Sequence, residues 1–216
     1  MKLAQRVAQI TPSATMAVKR AADELKRQGI SVIDLGPGEP DFPTPEHIKR
    51  AAEEALAQNF TKYTAEAGIW ELRDAIAQKY NRDYGTRYTA ENVLVTSGAK
   101  QALYNIAAAL FEPGDEVLIP IPYWVSFPEQ ITLVGARPVF IHTAQDFQLS
   151  AELVKEHMTP RTRALILNSP NNPAGTVLGR KDLHEIIELA QRHKLLVIYD
   201  ECYEKFLYEG EHVSAV

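Results

Sequence analysis

The segment from Ala164 to Asp200 constrains the fold more than any other part of the chain, because it carries two short apolar runs separated by a polar turn and an amphipathic stretch. Ala164-Leu165-Ile166-Leu167 and Leu195-Leu196-Val197-Ile198-Tyr199 have the length and side chains of buried strands. Between them Leu183, Ile186, Ile187 and Ala190 fall at i, i+3, i+4 and i+7, the stripe of a helix that packs on a sheet by one face. Strand, helix and strand in that order make a βαβ unit, so the two strands are expected to be parallel neighbours. In such sheets ligands bind beyond the carboxyl ends of the strands. Both the turn Asn168-Ser169-Pro170-Asn171-Asn172-Pro173-Ala174-Gly175 and the pair Asp200 and Tyr203 fall there, which reads as half of a cofactor site.

The same alternation extends through most of the chain. A helix is expected from about Ser13 to Gln28, ended by Gly29, followed by a strand from Ile30 to Leu35. A turn-rich loop, Gly36-Pro37-Gly38-Glu39-Pro40-Asp41-Phe42-Pro43, then leads to Thr44 as N-cap and Pro45 as the first residue of a new helix. A further helix carries Ile69, Leu72, Ala75, Ile76 and Tyr80. From Val93 the pattern predicts strand 93–96, helix 99–110, strand 116–119, helix near 126–133, strand 138–141 and helix 151–158. The fold class is therefore α/β, with a mostly parallel central sheet flanked by helices. After Tyr203 no capping helix follows, and the expectation is a truncated chain with an incomplete sheet.

Composition excludes several functions. At 216 residues and 45% apolar content there is enough material for a packed core. A net charge of −5, with both signs interspersed, gives no footprint for nucleic acid. No apolar run approaches the roughly 18 residues that span a bilayer, and the N-terminus has no leader-like apolar core, so a cytoplasmic protein without membrane partners is expected. Cys202 is the single cysteine; neither an intrachain disulfide nor a thiolate metal cluster is possible, and no metal site is expected.

Several residues carry chemistry at the strand ends. Ser97-Gly98-Ala99 opens a helix, where unpaired backbone N–H groups and a partial positive charge suit a phosphate; the plainer reading is a serine N-cap in a tight turn. Lys100 places a cation in the first helical turn, against the macrodipole, so a nearby anion would offset it. Trp124 follows a strand end and offers a flat surface for an aromatic ring, although a core tryptophan is the commoner explanation. Asp200 closes an apolar strand, where a carboxylate is costly unless a cation pairs with it, and Tyr203 brings a phenol to the same place. Phosphate-binding backbone, stacking ring, amide, carboxylate and phenol on one sheet edge are the set that a pyridoxal phosphate ring requires.

Here the sequence resembles a known family. Gly36 to Phe42, Lys62-Tyr63, Ser97-Gly98-Ala99-Lys100-Gln101-Ala102, Pro122-Tyr123-Trp124, Asn168 to Gly175 and Asp200-Glu201-Cys202-Tyr203 together look like the class I, fold-type I aminotransferases, and most like the bacterial aspartate-type branch with a lysine in the phosphate-loop helix. The resemblance implies pyridoxal 5'-phosphate as cofactor and amino acids and 2-oxo acids, of the aspartate and glutamate type, as substrates. It implies that Ser97, Gly98 and Ala99 hold the cofactor phosphate, that Trp124 stacks on the ring, that Asn172 and Tyr203 bind its phenolate oxygen, and that Asp200 keeps its nitrogen protonated. Gly38, Lys100, Trp124 and Asn172 would border the substrate, and Tyr63 would reach the phosphate of a neighbouring subunit, which implies a homodimer.

By the same resemblance residues 1–44 form an N-terminal arm and part of a small domain, and residues 45–216 a large cofactor-binding domain truncated before the Schiff-base lysine. That lysine belongs on a strand after Asp200, where this chain has only Lys205, too close to occupy a later strand, so the chain alone is expected to be inactive. A lyase or synthase on the same scaffold and a non-catalytic cofactor-binding domain are the alternatives.

Overall fold

Successive residues of a strand point to opposite faces of a sheet, and in this chain both faces are buried. The computed structural model of the chain describes residues 2–11, 14–34, 42–143 and 145–216. Its helices are α1 (Ala14–Arg27), α2 (Glu46–Ala57), α3 (Trp70–Tyr84), α4 (Ala99–Leu110), α5 (Ser126–Leu133), α6 (Ala151–Glu156) and α7 (Arg180–His193). Strands β1 (Glu116–Ile121), β2 (Arg137–His142), β3 (Thr162–Asn168) and β4 (Leu196–Asp200) form one sheet in the order β2-β1-β3-β4, with every pair parallel. Leu118, Leu165 and Leu167 pack with Val154 of α6 and with Leu183, Ile186 and Leu189 of α7. Their neighbours Val117, Ile119, Ala164, Ile166 and Ile198 pack instead with Leu103 and Ala107 of α4 and with Phe127 and Ile131 of α5. The continuous apolar runs of the sequence are thus two interleaved stripes, one for each core.

The order of the strands places the site. From β1 the chain crosses through α5 to β2 on one side, then passes back over β1 to β3 on the other and continues outward to β4. The winding direction reverses between β1 and β3, so their carboxyl ends flank the crevice where ligands of open α/β sheets bind. At the end of α7, Lys194 takes a left-handed φ of 54°, and the amides of Lys194 and Leu195 close on the carbonyls of Gln191 and Ala190. This closure caps the helix and turns the chain into β4.

The chain divides into two compact units, one of Met1–Thr11, Tyr80–Arg87 and Val95–Val216, the other of Pro12–Lys79 and Tyr88–Leu94. The first contains the sheet and both cores. In the second, α1 stops as expected at Gly29, whose φ of 80° lets its own amide and that of Ile30 reach back to Lys26 and Leu25. Two expected strands are absent. Ile30 to Asp34 is an irregular segment, tied by an ion pair between Lys26 and Asp34 at 3.2 Å, and Leu35 lies outside the described residues. Val93 to Thr96 is likewise no strand; Val93 has extended backbone, but the segment pairs with no strand among the described residues. An apolar β-branched run supplies propensity, not a hydrogen-bonding partner. The cap before α2 also differs: Pro45, with ψ 141°, is the N-cap itself and the helix starts at Glu46.

At the opposite edge of the sheet from the crevice, Glu116 at the start of β1 is a fully enclosed carboxylate. It accepts hydrogen bonds from Arg137, from Arg161 at 2.7 Å and from the Thr159 hydroxyl at 2.7 Å. The Arg137 bond, then that of Thr159, holds its carboxyl at about 2, below the ordinary 4.5. A lowered folded-state value means that this contribution to stability is complete above pH 4.5 and is lost as pH falls through about 2. Urea unfolding of Glu116→Gln should therefore show lower stability at neutral pH and a flatter pH response across that window; parallel curves for parent and variant would remove Glu116 from the acid response.

Candidate cofactor site

The carboxyl ends of β3 and β4 are clamped together by one side chain. Asn168, the last residue of β3, lies in register with Asp200, the last of β4. Its Nδ2 donates to the Asp200 carbonyl at 3.0 Å, while its Oδ1 accepts the amide of Asn172 at 2.8 Å. Both ends of the amide are committed, one to each neighbouring segment. The turn beyond is held by Asn171, whose Oδ1 accepts the Ala174 amide at 3.0 Å and whose Nδ2 donates to the Pro122 carbonyl at 3.3 Å. Asn172 is thereby brought to Tyr203, with its Nδ2 3.3 Å from the phenol oxygen. Pro122 lies two residues before Trp124, so the Asn171 contact ties the turn after β3 to the loop after β1.

The helix that faces this edge begins in a backbone state reserved for glycine. Gly98 is the N-cap of α4, with φ 79° and ψ 164°, a region that side chains exclude. The serine-cap reading is thus replaced: the cap is Gly98, and the Ser97 amide is bound by the Gln101 side chain at 2.6 Å. The Gly98 amide is bound by the Thr96 carbonyl at 2.8 Å. The amides of Ala99 and Lys100 have no acceptor among the described residues and stand at an exposed helix start. Lys100 lies with its ammonium 4.8 Å from the centre of the Trp124 ring. The indole face offsets part of the cost of a cation in the first helical turn. Trp124 is held in turn by Phe127, edge to face at 5.5 Å, and the Gln130 amide donates to the Lys100 carbonyl at 2.8 Å.

The two ends of the site have opposite electrostatic needs. Burial pushes the Asp200 carboxyl up from its ordinary value, the Cys202 amide, donating to Oδ1 at 3.0 Å, pulls it down, and the neighbouring Glu201 charge pushes it up again. A cation beside Asp200 would favour its charged form. The free amides of Ala99 and Lys100 favour an anion. A ligand with an anionic group at one end and a protonated ring nitrogen at another suits this donor set, which is the chemistry of a phosphorylated pyridine.

Ser97, Gly98, Ala99, Lys100, Trp124, Asn172, Asp200 and Tyr203 all lie in the unit that contains the sheet. Lys100 meets Trp124 and Asn172 meets Tyr203 directly. Tyr63 belongs to the other unit, where its side chain is fully exposed. Gly38 lies outside the described residues. Gln101, Asn168 and Asn171 carry much of the geometry yet receive no role from sequence reasoning. The signal for Asn171 was present, since an asparagine within a Pro-Asn-Asn-Pro turn favours bonding to its own backbone.

Comparison with known proteins gives the family. Residues 30–216 match the family model for class I and II aminotransferases. The aspartate/prephenate aminotransferase of Thermus thermophilus is 49% identical over 214 residues, which cover 98% of this chain and 56% of that protein. The aspartate aminotransferase of Bacillus subtilis is 44% identical over 217 residues, covering 99% of this chain and 55% of the relative. The solved aspartate aminotransferase of Thermus thermophilus with maleate superposes with a TM-score of 0.97 at 48% identity, over 100% of this chain and 57% of that one. The chain therefore spans a little over half the length of these relatives. With a family model across most of its residues and the same fold throughout its length, the chain belongs to the class I and II aminotransferase family.

Proposed function

We propose that this chain carries the ring- and phosphate-binding half of an aminotransferase that moves an amino group between an amino acid and a 2-oxo acid. The observation that carries the reading is the Asn168 clamp, which sets Asp200 beside the Asn172 and Tyr203 pair at the crevice edge. Aminotransferases of this family use pyridoxal 5'-phosphate. When bound, that group supplies a sink for the electrons left on a substrate α-carbon as its proton departs. The chain's own residues then have distinct tasks. The Ala99 and Lys100 amides, with Ser97 and Gly98 shaping the turn, bind the phosphate; Trp124 presents the stacking surface. Asp200 holds a proton at the ring nitrogen, and its burial makes that pairing favourable. Asn172 and Tyr203 bind the ring oxygen and fix the ring's orientation.

Substrate class follows from Lys100. Its ammonium lies at the edge of the same site, and the relatives are named aspartate and aspartate/prephenate aminotransferases, one of them solved with the dicarboxylate maleate. We assign Lys100 to the distal carboxylate of an acidic substrate, with Trp124, Asn172 and Gly38 bordering the rest. Tyr63, exposed in its own unit, is assigned to the phosphate of a second copy in a cytoplasmic homodimer. The covalent step requires a lysine, and Lys205, the only lysine after Asp200, has its ammonium 4.0 Å from Glu204 rather than at the site residues.

Two experiments test the reading. With Trp70→Phe leaving Trp124 as the sole tryptophan, pyridoxal phosphate should quench fluorescence saturably, inorganic phosphate should compete, and the 216-residue chain should show no transamination. Absence of saturable quenching would exclude the cofactor assignment, and turnover by the chain alone would exclude the missing-lysine argument. In the full-length enzyme Lys100→Ala should lower kcat/KM for aspartate and glutamate by about ten- to a hundredfold, the loss of one charge-assisted contact of roughly 1.5–3 kcal/mol, with a much smaller effect on neutral amino acids. Equal losses for both classes would assign Lys100 to the phosphate or to the fold.

A further inference from the structure

A glycine at a helix cap is free to leave the conformation that makes it useful unless its surroundings hold it there. Around Gly98 packing does not: apart from its chain neighbours, nothing lies within 4 Å of the point where a Cβ would stand. Hydrogen bonds hold it instead, from both sides. The Gly98 amide donates to the Thr96 carbonyl at 2.8 Å and the Thr96 hydroxyl donates to the Gly98 carbonyl at 3.0 Å, so one residue binds both polar groups of the glycine. The same carbonyl accepts the amides of Gln101 at 3.1 Å and Ala102 at 3.4 Å, the first bonds of α4. From the helix side Gln101 Oε1 accepts the Ser97 amide at 2.6 Å. Gln101 is the third residue after the cap, the position from which a glutamine or glutamate reaches back to the cap amide in a capping box. Here Thr96 already holds that amide, and the glutamine reaches one residue further.

We propose that Gln101 is a positioning residue for the anion: by holding the Ser97 amide, opposite the bonds from Thr96, it keeps Gly98 in its cap conformation and presents the Ala99 and Lys100 amides together to a phosphate group. This role rests on the assignment of the cofactor phosphate to those two amides, and adds to it the side chain that prepares them. The bracing bonds also decide which amides remain. With Ser97 and Gly98 occupied, the pair without an acceptor among the described residues is Ala99 and Lys100. Donors set in place before the ligand arrives lose less freedom on binding, and glycine has the most freedom to lose. A backbone amide only donates, so an acceptor is what position 101 has to supply, and the carboxamide oxygen supplies it. Gln101→Ala removes that acceptor and leaves Thr96 alone to hold the loop, whereas Gln101→Glu keeps an acceptor at the same reach.

The test combines ligand binding with amide hydrogen exchange. Trp124 fluorescence in the Trp70→Phe background reads the binding of pyridoxal phosphate, of pyridoxal, and of inorganic phosphate as competitor, for the parent and Q101A. Gln101 is exposed and alanine is the better helix former, so Q101A keeps α4. It should weaken pyridoxal phosphate and inorganic phosphate each by about three- to tenfold, the range of one hydrogen bond, and leave pyridoxal, which has no phosphate, unchanged. Without any ligand, the Ser97 amide should exchange faster in Q101A and at the parent's rate in Q101E. Equal weakening of pyridoxal and pyridoxal phosphate would make Gln101 a part of the fold only, and tighter phosphate binding by Q101A would make it a competitor for the Ser97 amide. An unchanged Ser97 exchange rate in Q101A would mean that the bond holds nothing. Each of these results overturns the proposal. A parent that binds no pyridoxal phosphate would take down the cofactor reading and the phosphate role of Gln101 with it; a parent that binds it as tightly as Q101A does would take down the Gln101 role alone.

Discussion

The carboxamide of Asn168 is the interaction on which the site depends. It is the last residue of a strand buried on both faces, and it uses its donor on the Asp200 carbonyl and its acceptor on the Asn172 amide. No other uncharged side chain of this size offers a donor and an acceptor side by side, one for each of two backbone groups. The clamp converts the fixed spacing of neighbouring parallel strands, under 5 Å, into a fixed spacing between a carboxylate and an amide-phenol pair. The scaffold beneath it is rigid because the interleaved stripes of β1, β3 and β4 lock the sheet between two helix layers.

Around that clamp the electrostatics run from one sign to the other. The start of α4 offers two unbound amides, made accessible by a glycine conformation that turns the chain sharply into the helix. The end of β4 offers a carboxyl group that burial has pushed upward and that favours a cationic neighbour. Lys100 and Trp124 lie between the loop after β1 and the helix start, already in contact. The cofactor proposed for this site, aromatic and oppositely charged at its two ends, answers to both signs. Together these residues ask more of a ligand than any of them does singly.

How much of this was legible in the sequence depended on whether the information was local. The sheet strands from β1 onward were legible because burial on both faces forces continuous apolar runs, and α7 because it packs by one face only. Val93 to Thr96 has the same composition and is no strand, since strand identity also requires a partner that local sequence cannot specify. Asp200, Tyr203 and Trp124 are legible by their places just after apolar strands, each with an ordinary structural reading beside the chemical one, while the role of Asn172 is implied by the family resemblance. Asn168 and Gln101 lie inside the motifs, but their tasks are not legible, because an asparagine or a glutamine is distinguished only by what it touches. The serine cap, the plainer reading of Ser97-Gly98-Ala99, fails for the same reason: the left-handed φ that selects glycine at the cap is a property of the fold.

The central claim is that one edge of the sheet, framed by Asn168, binds a phosphorylated pyridine with its phosphate at α4 and its ring nitrogen at Asp200. The most direct measurement is a crystal structure of this chain with pyridoxal phosphate bound. Phosphate oxygens should lie within hydrogen-bond distance of the Ala99 and Lys100 amides, and the ring nitrogen within hydrogen-bond distance of the Asp200 carboxylate. Phosphate density elsewhere on the chain, or a ring nitrogen turned away from Asp200, would contradict it.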